Sequence, residues 1–128
     1  MTDSLLHLLL WRPEIPPNTG NIIRLCANTG CKLHLIKPLG FELDDTRLRR
    51  AGLDYHEFAS VQIWGDLMEY QQAFPQRRFI AIETSGQSAY AAFQFEPGDS
   101  LLLGSETTGL SNAVLASFPP EHVLKLPM

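Results

Sequence analysis

The sequence predicts an α/β fold: a mainly parallel sheet with helices on both faces. Two observations lead there. Short apolar runs recur along the chain, at Leu5–Trp11, Lys32–Ile36, Phe79–Thr84 and Leu101–Gly104, and stretches with helical spacing or helix caps fall between them. Strands that alternate with helices need crossover connections, which are right-handed and cover both faces of a parallel sheet. Ligands gather at the carboxyl ends of the strands in such sheets. The loops after Trp11, Thr84 and Leu103 are therefore candidate site loops, and a further one follows Leu126.

Each element has its own signal. Leu5–Trp11 is an unbroken apolar run, expected as a buried strand. Pro13, Pro16 and Pro17 then hold off a helix until Asn18, a good N-cap, and the helix runs to Thr29 with Gly30 as its C′ residue. Lys32–Ile36 is the second strand, broken by Lys37-Pro38-Leu39-Gly40. Asp44 or Asp45 caps a short helix through Ala51, closed by Gly52. A third strand is expected at Tyr55–Ser60. A helix follows at Ile63–Ala73, with Ile63, Leu67 and Tyr70 on one face and Pro75 ending the segment. After the Phe79–Thr84 strand, Ser88–Phe93 reads as one helical turn. Ser111 caps a helix to Phe118, Pro119-Pro120 stop it, and Val123–Leu126 is the last strand.

A chain of 128 residues fits one domain, and 45% hydrophobic residues suffice for a core. A net charge of −4 argues against a protein that coats nucleic acid non-specifically, though it leaves room for a local basic patch. The two cysteines, Cys26 and Cys31, match no zinc spacing and are expected as free thiols in a reducing compartment. Met1-Thr2-Asp3-Ser4 lacks the basic start of a signal peptide, and no apolar run is long enough to span a bilayer, so a cytoplasmic location is expected. The four histidines are scattered, which gives no metal site.

The chemistry concentrates in three places. In Pro13-Glu14-Ile15-Pro16-Pro17-Asn18-Thr19-Gly20-Asn21-Ile22-Ile23-Arg24, the apolar Ile22, Ile23, Cys26 and Ala27 form one helical face. Asn21, Arg24 and Asn28 share the other. A strand thus delivers the chain to a stiff turn and a helix start lined with Asn, Gly and Arg, which suit a phosphate or ribose better than a core. Gly104-Ser105-Glu106-Thr107-Thr108-Gly109-Leu110 is the second place. Gly104 lacks a Cβ where a ligand would approach the backbone, and Glu106 suits a cationic ligand; a plain β–α turn with Gly109 at positive φ is the competing reading. The third is Arg47, Arg49 and Arg50, whose guanidinium forks match phosphate oxygens, followed by Tyr55 and His56, which can stack on a base. The same arginines also make an ordinary solvated face, neutralised by Asp44 and Asp45. Arg77 and Arg78 read as plain surface. The Rossmann glycine fingerprint is missing after the first strand, and no P-loop or nucleophile elbow occurs.

Residues 13–25, Arg-Leu-Arg-Arg-Ala-Gly-Leu-Asp-Tyr-His at 47–56, Gly-Ser-Glu-Thr-Thr-Gly-Leu at 104–110 and Leu-Pro-Met at 126–128 occur together in an order that resembles the small SPOUT-class RNA methyltransferases. That resemblance implies a SPOUT fold with a C-terminal trefoil knot and a homodimer with active sites at its interface. It also implies methyl transfer from S-adenosylmethionine to the ribose 2′-OH of the wobble nucleotide of leucine tRNAs, without a metal. By position, Ile82 and Thr84 belong to the first cofactor loop, Gly104 and Glu106 to the second, and Leu126 to the third. On that resemblance, Arg24 is expected to orient the target phosphate or ribose beside Asn21, and Asn18, Arg47, Arg49, Arg50, Tyr55 and His56 are expected to hold the tRNA. Two departures stand out. Ser105 and Thr108 replace the Pro and Arg usual in the glycine loop of relatives. Relatives also continue past Leu-Pro-Met with a Ser/Asn-rich loop and a helix, so the knot is expected to be incomplete here. The rival expectation is a catalytically inactive RNA-binding or dimerisation module.

Overall fold

A computed structural model of the chain describes residues 6–14, 16–40, 49–50, 52–53, 60–83, 88–89, 96–105, 109–119 and 122–125. Its strands are β1 (Leu6–Trp11), β2 (Lys32–Ile36), β3 (Gln62–Trp64), β4 (Phe79–Ile82), β5 (Ser88–Ala89), β6 (Asp99–Leu103) and β7 (Val123–Lys125). They form one sheet in the order β3-β2-β1-β6-β4-β7-β5, and every pairing among them is parallel.

Side chains alternate across a strand, so β1 feeds two cores. Leu9 and Trp11 pack with Ile36, Tyr70, Ala81, Leu102 and Phe118 beneath helices α2 (Leu67–Ala73) and α3 (Asn112–Ala116). Leu10 joins Ile23, Cys26, Leu33, Leu35 and Leu53 on the opposite face, under α1 (Pro16–Thr29). Helices therefore cover both faces, as the alternating pattern predicts. The register keeps the carboxyl ends level: Leu10 and Ile82 both pair with Leu103, and Ile82 also pairs with Leu124.

Four expectations need correction. Helix α1 begins at Pro16 rather than Asn18, because prolines in a first turn give up only N–H groups that have no partner there. The helix expected from Ile63 begins at Leu67, and Ile63 lies in a strand, Gln62–Trp64; the strand expected at Tyr55–Ser60 falls on residues outside the described part, save Ser60. The cause is local. Asp66 caps that helix by accepting from the Glu69 N–H at 2.8 Å, Glu69 accepts from the Gly65 N–H at 3.3 Å, and this box leaves Ile63 on the strand side of the break. Ser88 and Ala89 are strand residues paired with Leu124 and Lys125, not a helical turn. Finally, Arg77 and Arg78 are more than surface. The Arg78 guanidinium donates twice to the buried Asp99, at 3.0 and 2.7 Å, and Arg77 stacks 3.7 Å from the Phe74 ring centroid.

β7 lies between β4 and β5, strands that precede it in the chain. The C-terminal knot implied by the resemblance would involve the end of the chain, and residues 126–128 lie outside the described part.

Candidate active site at the carboxyl ends of the strands

Chain order reverses between β1 and β6. From β1 the chain steps outward to β2 and β3, then crosses to build the other half of the sheet. Such a switch point leaves a crevice beyond the strand ends. Here it is a cavity of about 370 Å³ lined by Leu10, Pro13, Thr19, Asn21, Ile22, Leu103 and Gly104. It brings the first sequence block against the second.

Local chemistry shapes the rim. Arg12, at the end of β1, has φ 53, and its N–H donates to the Ile36 carbonyl at 3.0 Å, turning the chain sharply toward α1. Gly40 closes the same turn: its N–H donates to Pro13 O at 2.9 Å, and a Cβ there would lie 3.0 Å from Glu14 Cα. On α1 the buried stripe is Thr19, Ile23 and Cys26, while Asn21, Arg24 and Asn28 are exposed as the spacing predicts. Ala27, expected in the stripe, is exposed.

Arg24 stands three residues beyond Asn21 and donates from Nη2–H to the Gly52 carbonyl at 2.8 Å. The Gly52 N–H in turn donates to Arg49 O at 3.0 Å, and Gly52 has φ +89. Leu53 buries itself with Ile23 and Cys26. The turn that follows the exposed Arg49 and Arg50 is thereby fastened to α1 at Arg24.

The glycine loop is held differently from expectation. A Cβ on Gly104 would lie 2.3 Å from Gly109 C and 2.4 Å from Leu110 N, so the missing Cβ makes room for the loop's own backbone. Gly109 has φ +66, its N–H donates to Ser105 O at 2.9 Å, and the Leu110 N–H donates to Glu83 Oε2 at 2.8 Å. Glu83, directly after β4, thus ties the first candidate cofactor loop to the second. Sequence reasoning passed over it, and nothing in its spacing distinguishes it from a surface carboxylate. Ile82 sits half-buried at the end of β4, packed on the Ile80, Leu101 and Leu124 cluster.

Asn18 is the third residue of α1, its side chain outside the described part; Arg47, Tyr55, His56, Thr84, Glu106 and Leu126 also lie outside it. Cys26 is no nucleophile at neutral pH: burial, with Cys31 nearby, pushes its thiol up to about 11. Among the described residues no helix is long and apolar enough to cross a membrane.

A parallel sheet covered on both faces, with its crevice at a switch point beyond the strand ends, defines an α/β protein of the ligand-binding, doubly covered kind. The SpoU rRNA Methylase family model matches residues 5–128, and the chain belongs to that family. It is 54% identical over 124 residues to a protein of Aeromonas hydrophila named tRNA (cytidine(34)-2'-O)-methyltransferase, covering 97% of this chain and 80% of the relative. A protein of the same name from Escherichia coli is 50% identical, with 97% and 79% covered. A solved structure concerning the 2-OH methylation of C/U34 on tRNA superposes with a TM-score of 0.87 at 42% identity, over 98% of this chain and 81% of that one. The methyltransferase AviRb from Streptomyces viridochromogenes, in complex with the cofactor AdoMet, shares the fold with a TM-score of 0.76 at 24% identity, over all of this chain and 50% of its own.

Proposed function

We propose that the protein methylates the 2′-oxygen of the ribose at nucleotide 34 of tRNA, with leucine tRNAs as substrates and S-adenosylmethionine as donor. Its relatives at about half identity carry that activity in their names. The observation that carries the reading is the exposed Asn21–Arg24 face of α1 flanking a cavity closed by Gly104 at the switch point.

The cofactor fits the strand ends. β4, β6 and β7 end level, so the loops they release border one crevice, where Ile82, Thr84, Gly104, Glu106 and Leu126 hold it. When bound it supplies an electrophilic methyl group on a sulfonium. The chain's own residues position the acceptor. Arg24 fixes the ribose or its phosphate through a charge-assisted fork, and its bond to Gly52 O sets the direction of that fork. Asn21 lines the cavity and orients the sugar. Arg49, Arg50 and Arg47, with Asn18, Tyr55 and His56, grip the anticodon arm. Holding the hydroxyl in line with the donor turns an encounter into an oriented reaction, which supplies much of the rate. The protein acts as a homodimer in the cytoplasm, needs no metal, and pairs through α1, where Leu25 is 56% exposed.

Unmodified leucine tRNA incubated with the protein and S-adenosylmethionine, digested and read by mass spectrometry, tests this. One methyl on the ribose of nucleotide 34 is expected. Retained tRNA binding with no methyl transfer would make the chain an RNA-binding module instead.

A further inference from the structure

Glu83 stands where β4, β6 and β7 end, and it is tied to all three. It follows β4 directly, and its backbone N–H donates to Leu124 O of β7 at 2.9 Å. Its Oε2 accepts from the Leu110 N–H, at the far side of the glycine loop that leaves β6, at 2.8 Å. Glycine seats the carboxylate. A Cβ on Gly104 would lie 2.3 Å from Gly109 C, and a Cβ on Gly109 would lie 2.6 Å from Glu83 Oε2. Gly104 thus admits Gly109, and Gly109 admits the carboxylate. Ser105 O closes the loop from the other side by accepting from the Gly109 N–H at 2.9 Å. Leu110 itself is buried in the core with Leu102 and Phe118, so loss of the carboxylate takes the acceptor from an N–H inside the protein, which is destabilising.

We propose that Glu83 is a positioning residue for the cofactor: its carboxylate holds the glycine loop at the distance from the ends of β4 and β7 that S-adenosylmethionine binding requires. The inference rests on the methyltransferase reading above and deepens it. Loops that leave three strand ends grip one small molecule well only when their separations are fixed beforehand. Ladder pairing fixes the strands up to Ile82, Leu103 and Leu124. Beyond that level the Glu83 N–H carries the ladder one step further to β7, and the Glu83 side chain fastens the returning glycine loop at Leu110. One residue therefore sets the gap between all three loops without touching the ligand, and such preorganisation raises affinity by lowering the ordering cost of binding. The geometry uses the carboxylate as a hydrogen-bond acceptor, a task that an amide oxygen also performs.

Calorimetry on the full chain tests this with Glu83→Ala and Glu83→Gln. The ligands are S-adenosylmethionine, its thioether product S-adenosylhomocysteine and leucine tRNA, each measured without the others. Gly30→Ala, which strains only φ just past α1 at the amino end of β2, is the control for lost stability. For Glu83→Ala the expected result is roughly tenfold weaker binding of both cofactor forms, with tRNA binding unchanged. Glu83→Gln recovers most of the loss, and Gly30→Ala binds the cofactor as the parent does. Parent-like cofactor affinity in Glu83→Ala overturns the proposal. So does a loss confined to S-adenosylmethionine, the form with the positive sulfur, which would make the carboxylate a direct electrostatic partner. Equal weakening of cofactor and tRNA, or a like loss in Gly30→Ala, marks general destabilisation and overturns it as well. A Glu83→Gln no better than Glu83→Ala does the same. A parent that binds neither cofactor form refutes the methyltransferase reading and takes the proposal with it, whereas a parent that binds beside an equal Glu83→Ala refutes the proposal alone.

Discussion

Among the described residues, buried polar side chains divide into those the fold pairs and Thr19, whose hydroxyl has no partner. The His7–His34–Trp64 chain belongs to the first group. Trp64 Nε1–H can only donate, and it lies 3.0 Å from His34 Nδ1, so that nitrogen accepts. The proton of neutral His34 is therefore on Nε2, which donates to His7 Nδ1 at 3.2 Å. A second proton on His34 would face the Trp64 N–H. Burial, then the nearby His7, Arg77 and Lys32 charges, lower its pKa to about 3. The folded value is depressed, so the unfolded chain takes up the proton first. The contribution is complete above about pH 6.5 and shrinks as pH falls toward 3. Denaturant titrations between pH 7 and pH 4.5 should show a loss of roughly 1 kcal/mol per pH unit from this site, and a shallower slope in His34→Gln. Identical slopes would refute the assignment. Neither histidine pairing is visible in sequence, because residues 7 and 34 meet only through the β1–β2 register.

At the scale of elements, local chemistry explains both what the sequence reveals and what it hides. Strand β2, the Gly30 stop with φ +80 and the Ser111 cap were all legible, since each depends on near neighbours. The start of α1 was not. Prolines read as breakers unless their place in the first turn is known, and that place is set by the sharp bend at Arg12. β3 and β5 were hidden because strands of three and two residues carry no periodicity and owe their form to β2 and β7 beside them. The glycine loop offers a test at this scale. Gly104→Ala forces a Cβ to 2.3 Å from Gly109, whereas Gly30→Ala meets nothing within 4 Å and strains only φ. Urea unfolding should show a loss of about 3 kcal/mol for Gly104→Ala and about 1 kcal/mol for Gly30→Ala. Equal losses would mean that the loop does not rest on Gly104.

For the whole molecule, parallel topology turns scattered sequence blocks into one site. The alternation of strands and helices pointed to the carboxyl ends, and the first and second blocks do meet there. The alliance of Arg24 with the Arg49–Arg50 turn was not legible. It runs through a backbone carbonyl at Gly52, which no residue pattern encodes. Thr19 was concealed for a related reason: buried and orphaned are properties of surroundings, and its motif displays only a hydroxyl between Asn18 and Gly20. The insertion of β7 between β4 and β5 likewise follows from long-range pairing. On the proposed reading, Arg24 is the cation that presents the acceptor. The decisive measurement is single-turnover methylation of leucine tRNA by Arg24→Ala, with S-adenosylmethionine affinity measured on the same preparation. A rate reduced about a hundredfold with cofactor affinity preserved is expected. A rate equal to the parent's, in a folded protein, would contradict the site.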